Sequence, residues 1–108
     1  MPSYRANIED IITEIQIIPV KPKDGLVAFA SFVLFHGIYC SSVGVFINKE
    51  NKFRLVYPTK KVGEKNLNIF HPINPIVGIV IDEEVAIVAA KVLGLNTGVD
   101  KPNNELIK

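Results

Sequence analysis

Three short polar breaks constrain what the first half of this chain can fold into. Asp24-Gly25, His36-Gly37 and Asn48-Lys49-Glu50-Asn51 separate apolar runs. An Asp-Gly pair supplies the positive φ that a tight reversal needs. Successive strands joined by turns this short give an antiparallel meander.

The runs themselves read as strands. From Ile11 to Val20, Thr13, Ile15 and Ile17 alternate with Glu14, Gln16 and Ile18, a period of two. Pro19 and Pro22 are expected to end this strand, because neither can donate to a ladder. Leu26–Phe35 is apolar at nearly every position, which predicts a strand covered on both faces, central or at an interface. Ile38–Ile47 follows, with Gly44 as the expected bulge, and then Phe53–Tyr57. Lys60–Lys65 reads as an exposed loop and Leu67–Phe70 as a short fifth strand.

After it, Asn74 is a good N-cap and Pro75 suits the first helical position. The helix is predicted to run to Leu93, with Gly94 as a left-handed terminator and most of its surface buried. The competing reading has Ile76–Ile81 extended and a shorter helix from Asp82, since that run is rich in β-branched residues. The expected fold is α+β: an antiparallel β-sheet of about five strands in a meander, followed by one long C-terminal helix. Residues 1–94 form a single domain, with Met1–Asn7 loosely held and 95–108 a frayed polar tail.

Composition narrows the function. At 108 residues, 48% are hydrophobic, and the mean hydropathy is +0.27. That is apolar for so small a domain, whose surface is large relative to its core, and it points to a homodimer. The net charge of +1 excludes a wholly electrostatic nucleic-acid binder, so any phosphate contact must come from a local cluster. A single cysteine, Cys40, rules out an internal disulfide and fits a cytoplasmic location. No apolar window is long enough to span a bilayer, so no membrane association is expected.

The catalytic inventory is nearly empty. His36, His71 and Cys40 are the soft metal ligands, short of the four that a closed zinc site needs. Asp82, Glu83 and Glu84 read as the solvated stripe of a helix. His71 precedes Pro72, which pushes it towards extended geometry, so it is read as orienting the start of the helix. No glycine-rich loop has phosphate-binding spacing. No enzyme activity, metal, cofactor or small-molecule substrate is expected. Positive charge remains: Lys49, Lys52, Arg54, Lys60, Lys61 and Lys65 face only Glu50 and Glu64 in that stretch, on two loops and the strand between them.

The succession Ile12-Thr13-Glu14-Ile15, then Tyr57-Pro58-Thr59-Lys60-Lys61, then His71-Pro72-Ile73-Asn74 and a helix resembles the SpoVG family of septation and sporulation regulators. The likeness spans roughly Ile11 to Val92, and the His-Pro-Ile-Asn element is its most specific part. It implies a dimeric α+β domain that binds DNA, and also RNA, as a pleiotropic regulator. It implies that Lys60 and Lys61 occupy the place of the family's DNA-contacting Lys-Arg pair, with Lys65, Lys52 and Arg54 in support. Lysine in the second place keeps the charge but loses the planar fork that reads guanine, so phosphate contact survives better than base reading. Ser42-Val43-Gly44-Val45 lacks the arginine usual in the family's middle strand, and Leu67-Asn68-Ile69-Phe70 lacks the usual basic residue. The alternative is a protein-interaction module of the same fold that has lost most nucleic-acid contact.

Overall fold

The computed structural model describes residues 7–95. The expectations for residues 1–6 and for the tail from 96 to 108 lie outside them. The fold is α+β, as its turn chemistry dictates. A short helix α1 (Ile8–Ile11) leads into β1 (Ile12–Lys23), β2 (Leu26–Leu34), β3 (Ile38–Ile47) and β4 (Phe53–Val56). These four strands form one antiparallel meander in the order β1-β2-β3-β4. Two further strands, β5 (Thr59–Val62) and β6 (Lys65–Asn68), form a second, two-stranded sheet among the described residues, and α2 (Pro75–Leu93) closes the described chain.

The turns form for local reasons. Asp24 and Gly25 both take positive φ, 54° and 92°, as a two-residue hairpin requires. At the next reversal the left-handed residues are Phe35 (φ 51°) and His36 (φ 56°) rather than Gly37, whose N–H donates to the Leu34 carbonyl at 2.9 Å. The Asn48 side chain accepts from the N–H groups of Glu50 (2.8 Å) and Lys52 (3.0 Å), fixing the third turn.

Three expectations about the strands are corrected. β1 runs through Pro19 and Pro22 to Lys23 instead of ending there. It is an edge strand, and a proline's missing donor is tolerated where no ladder bond is needed on the open side. The bulge in β3 lies at Ser41-Ser42, where the register with β2 shifts and Ser42 has φ 64°, while Gly44 pairs regularly with Phe29. Gly44 is needed for space: an added Cβ would sit 3.0 Å from Phe46 Cε1. The single sheet of about five strands becomes two sheets, because the expected loop Lys60–Lys65 and strand Leu67–Phe70 fold instead as the β5–β6 hairpin, with Gly63 (φ 61°) in its turn. Leu95, just past the helix, packs against the core and donates its N–H to the Ala90 carbonyl.

The longer helix is the one that forms. The Asn74 side chain accepts from the N–H groups of Ile76 (2.8 Å) and Val77 (3.1 Å), Pro75 follows it, and Gly94 terminates at φ 72°. Caps at both ends outweigh the modest helix penalty of the β-branched run.

One face of the four-stranded sheet packs against α2. The core joins Ala28, Ala30 and Phe32 of β2, Cys40, Val43 and Val45 of β3, and Phe53 of β4 to Ile81, Val85, Ala86 and Ala89 of the helix. β2 is therefore central, but its second face is left open, and α2 buries one side rather than most of its surface. Ile76 (68% exposed), Ile79 and Ile87 line its solvent side. No helix among the described residues is long and apolar enough to cross a membrane.

Candidate nucleic-acid interface

The basic residues predicted to act together are distributed by β5, β6 and β4. Pro58 cannot donate a ladder bond and follows the last residues of β4, so the chain leaves the main sheet there. It returns after the turn at Gly63, and the Ile69 N–H donates to the Pro58 carbonyl at 3.0 Å, closing the root of the hairpin. All eight residues of β5 and β6 are exposed. The hairpin is an arm with no core of its own.

Register decides which lysines act together. Lys60 pairs with Leu67, Lys61 with Asn66, and Val62 with Lys65. Successive side chains of a strand point to opposite faces, and cross-strand partners share one. Lys60, Val62, Lys65 and Leu67 thus occupy one face of the arm, and Thr59, Lys61, Asn66 and Asn68 the other. Lys60 and Lys61, adjacent in sequence, are separated by the hairpin itself. Lys60 is instead brought diagonally beside Lys65. No salt bridge engages any of these three lysines among the described residues.

Lys52 and Arg54 lie at the other end of β4 from the arm. Arg54 projects from the open face of the sheet, its guanidinium carbon 5.9 Å from the centroid of the Phe46 ring, within cation–π range. Lys52 is half-buried. β4 is an edge strand, and these two charges lie on it apart from the hairpin that carries the lysines.

His71, Pro72 and Asn74 join the arm to the helix. His71 Nδ1 lies 3.3 Å from the Pro72 carbonyl oxygen, a contact to nearby backbone like the one expected of it. The Pro72 ring lies over Gly78, whose added Cβ would meet its Cγ at 3.6 Å. Phe70 packs edge-on against Tyr57, with centroids 5.8 Å apart. Behind this junction is an apolar cavity of about 250 Å³, walled by Leu34, Tyr57, Pro72, Val77 and Ile81. Burial, then the nearby Asp82 and Cys40, push the Tyr57 phenol well above its ordinary pKa. Its hydroxyl is buried without a partner among the described residues. Asn74→Ala is expected to destabilise the fold by about 1 kcal/mol, the usual cost of a lost N-cap, read as a lower denaturation midpoint with an unchanged slope.

The soft ligands are dispersed. His36 Nε2 lies 3.5 Å from Asp10 Oδ1 on the surface, His71 borders the cavity, and Cys40 is in the core with its thiol pKa raised by burial. No group of three or more His, Cys, Asp or Glu placed to hold a metal occurs among the described residues.

Sequence reasoning missed the open face of the sheet. Ser31, the single polar residue within Leu26–Phe35, was its only local signal. The face itself is defined by strand neighbours distant in sequence. Compared with known proteins, the chain matches no family model and no curated protein.

Proposed function

We propose that this chain is a non-enzymatic, homodimeric nucleic-acid-binding regulator, similar in kind to SpoVG proteins, that contacts phosphates through the β5–β6 arm. The observation that carries the reading is the arm itself. It holds three exposed lysines, without ion-pair partners among the described residues, on a hairpin whose eight residues are all exposed. An isolated two-stranded hairpin is marginally stable in water, so such an arm gains order from what it grips. Homodimerisation rests on the solvent side of α2, where Ile76, Ile79 and Ile87 line an apolar stripe beside the exposed Ile73. A two-fold dimer would present two arms, and their phosphate contacts would add.

The test is a salt series. Each neutralised phosphate contributes about 0.9 to the slope of log affinity against log salt, so six arm lysines per dimer give a slope no steeper than about −5 on duplex DNA. Affinity that is indifferent to salt contradicts the proposal. The second reading, a protein-interaction module, is favoured by the net charge of +1 and the same apolar helix face. Unchanged mobility of every probe in a low-salt gel shift with mixed DNA and RNA pools would leave that reading in place.

A further inference from the structure

The face of the four-stranded sheet turned away from α2 is built in rows. Pairing places Thr13, Val33 and Tyr39 across the first row, Gln16 and Ser31 across the second, where β3 bulges at Ser41-Ser42, and Ile18, Phe29, Gly44 and Val56 across the third. The outer rows are apolar and aromatic, with Tyr39 70% exposed and Phe29 38%. The middle row is polar.

Ser31 is the informative residue. It is only 7% exposed, the one polar side chain among the buried residues described. Its hydroxyl makes no hydrogen bond within the described residues, yet it is not sealed off. It lies instead at the floor of a groove of about 300 Å³, lined also by Gln16, Phe29, Tyr39 and Ser41. A nearly buried hydroxyl with an unused donor and acceptor needs a partner from outside. Gln16 and Ser41 offer further unused donors and acceptors beside it.

We propose that this face binds the unpaired bases of a single-stranded nucleic acid, Tyr39 and Phe29 stacking on base rings while Ser31, Gln16 and Ser41 hydrogen-bond to base edges. The inference rests on the nucleic-acid reading above and adds a strand preference to it. The occupant has to present flat apolar faces to two rings and hydrogen-bonding edges to a polar row between them. A nucleobase has both, and an antiparallel sheet face with exposed aromatics is a recurrent platform for unstacked bases. A dry contact with a second copy suits the face less well, since it would leave the Ser31 hydroxyl and the Gln16 amide to be satisfied in an apolar interface. Charge is complementary: the row beyond Phe29 runs Lys23, Leu26, Phe46 and Arg54, so it ends in a cation on each edge strand, Arg54 held over Phe46, and either can meet a phosphate of a strand stacked on the face.

The experiment is fluorescence anisotropy with the full chain and three labelled probes: oligo(U) and oligo(dT) of eight nucleotides, and a blunt DNA duplex. Tyr39→Ala, at a largely exposed position, is expected to keep the fold and to weaken both single-stranded probes about tenfold, leaving the duplex unaffected. Tyr39→Phe should bind as the parent does. Ser31→Val, which fills the floor with methyl groups, should weaken the single strands several-fold. Upfield shifts of the Tyr39 ring protons on adding oligo(U) would show stacking directly. Undiminished single-strand affinity in Tyr39→Ala and Phe29→Ala, alongside loss in Lys60→Ala/Lys65→Ala, overturns the platform and leaves the arm standing. Failure of the unsubstituted chain to bind any probe removes both. Loss of self-association in Tyr39→Ala without nucleic acid assigns the face to a second copy and overturns the proposal.

Discussion

Phe32→Ala is expected to lower the stability of this fold by about 3–5 kcal/mol, a large share of the 5–15 kcal/mol typical of a whole domain (about the range that burial leaves after entropy). Phe32 sits on the central strand, fully buried, opposite Cys40 and among the residues that α2 covers. Truncation would forfeit the ring's transfer free energy and leave a void that flanking strands on both sides cannot collapse to fill. The control is Phe29→Ala, three residues earlier on the same strand but on the uncovered face. A substitution there, with much of the ring already in water, should cost about 1 kcal/mol or less. Urea denaturation of both variants reads the difference as a shift in midpoint. Equal losses would mean that β2 presents the wrong face to the helix, and the described packing would have to be discarded.

The second large effect concerns the arm. Two double variants each remove two positive charges, Lys60→Ala/Lys65→Ala and Lys60→Ala/Lys61→Ala, so net charge cannot explain a difference between them. A polyanion lying on the Lys60 face of the hairpin touches Lys60 and Lys65 together, whereas Lys61 points the other way. Losing these two phosphate contacts is expected to weaken duplex binding about 50- to 100-fold near 0.1 M salt for each arm engaged, and to flatten the salt slope by about 2 per arm. The Lys60/Lys61 variant loses one contact from that face and should be about tenfold weaker per arm engaged, with a slope change of about 1 per arm. The reverse ranking would place the nucleic acid on the Lys61 face. No change in either variant would remove the arm from binding altogether. All of these lysines are exposed, so thermal unfolding should be nearly unaltered in both.

Turns and caps were legible because they are made by residues adjacent in the chain. Asp24-Gly25 takes the conformation that its residue types prefer, and Asn74 reaches N–H groups only two and three residues ahead. The α+β order was legible for the same reason. Pro19 and Pro22 misled, because whether a proline ends a strand depends on whether that strand lies at an edge. The bulge at Ser41-Ser42 was hidden, since a glycine nearby was the stronger local signal and Gly44 turned out to serve packing against Phe46. The arm was half-read: its exposure and charge were seen, its pairing was not.

The amino-acid order determined by itself where the chain reverses, where the helix starts and stops, and which short segment gathers the lysines, because those outcomes depend on interactions within a few residues. Tertiary structure decided which side of each strand meets the helix and which is left to solvent. It also decided that Lys60 acts with Lys65 rather than with its neighbour Lys61. Side-chain direction in a strand alternates with every residue, so one bulge or one strand pairing, set by residues far away in sequence, reassigns a whole face.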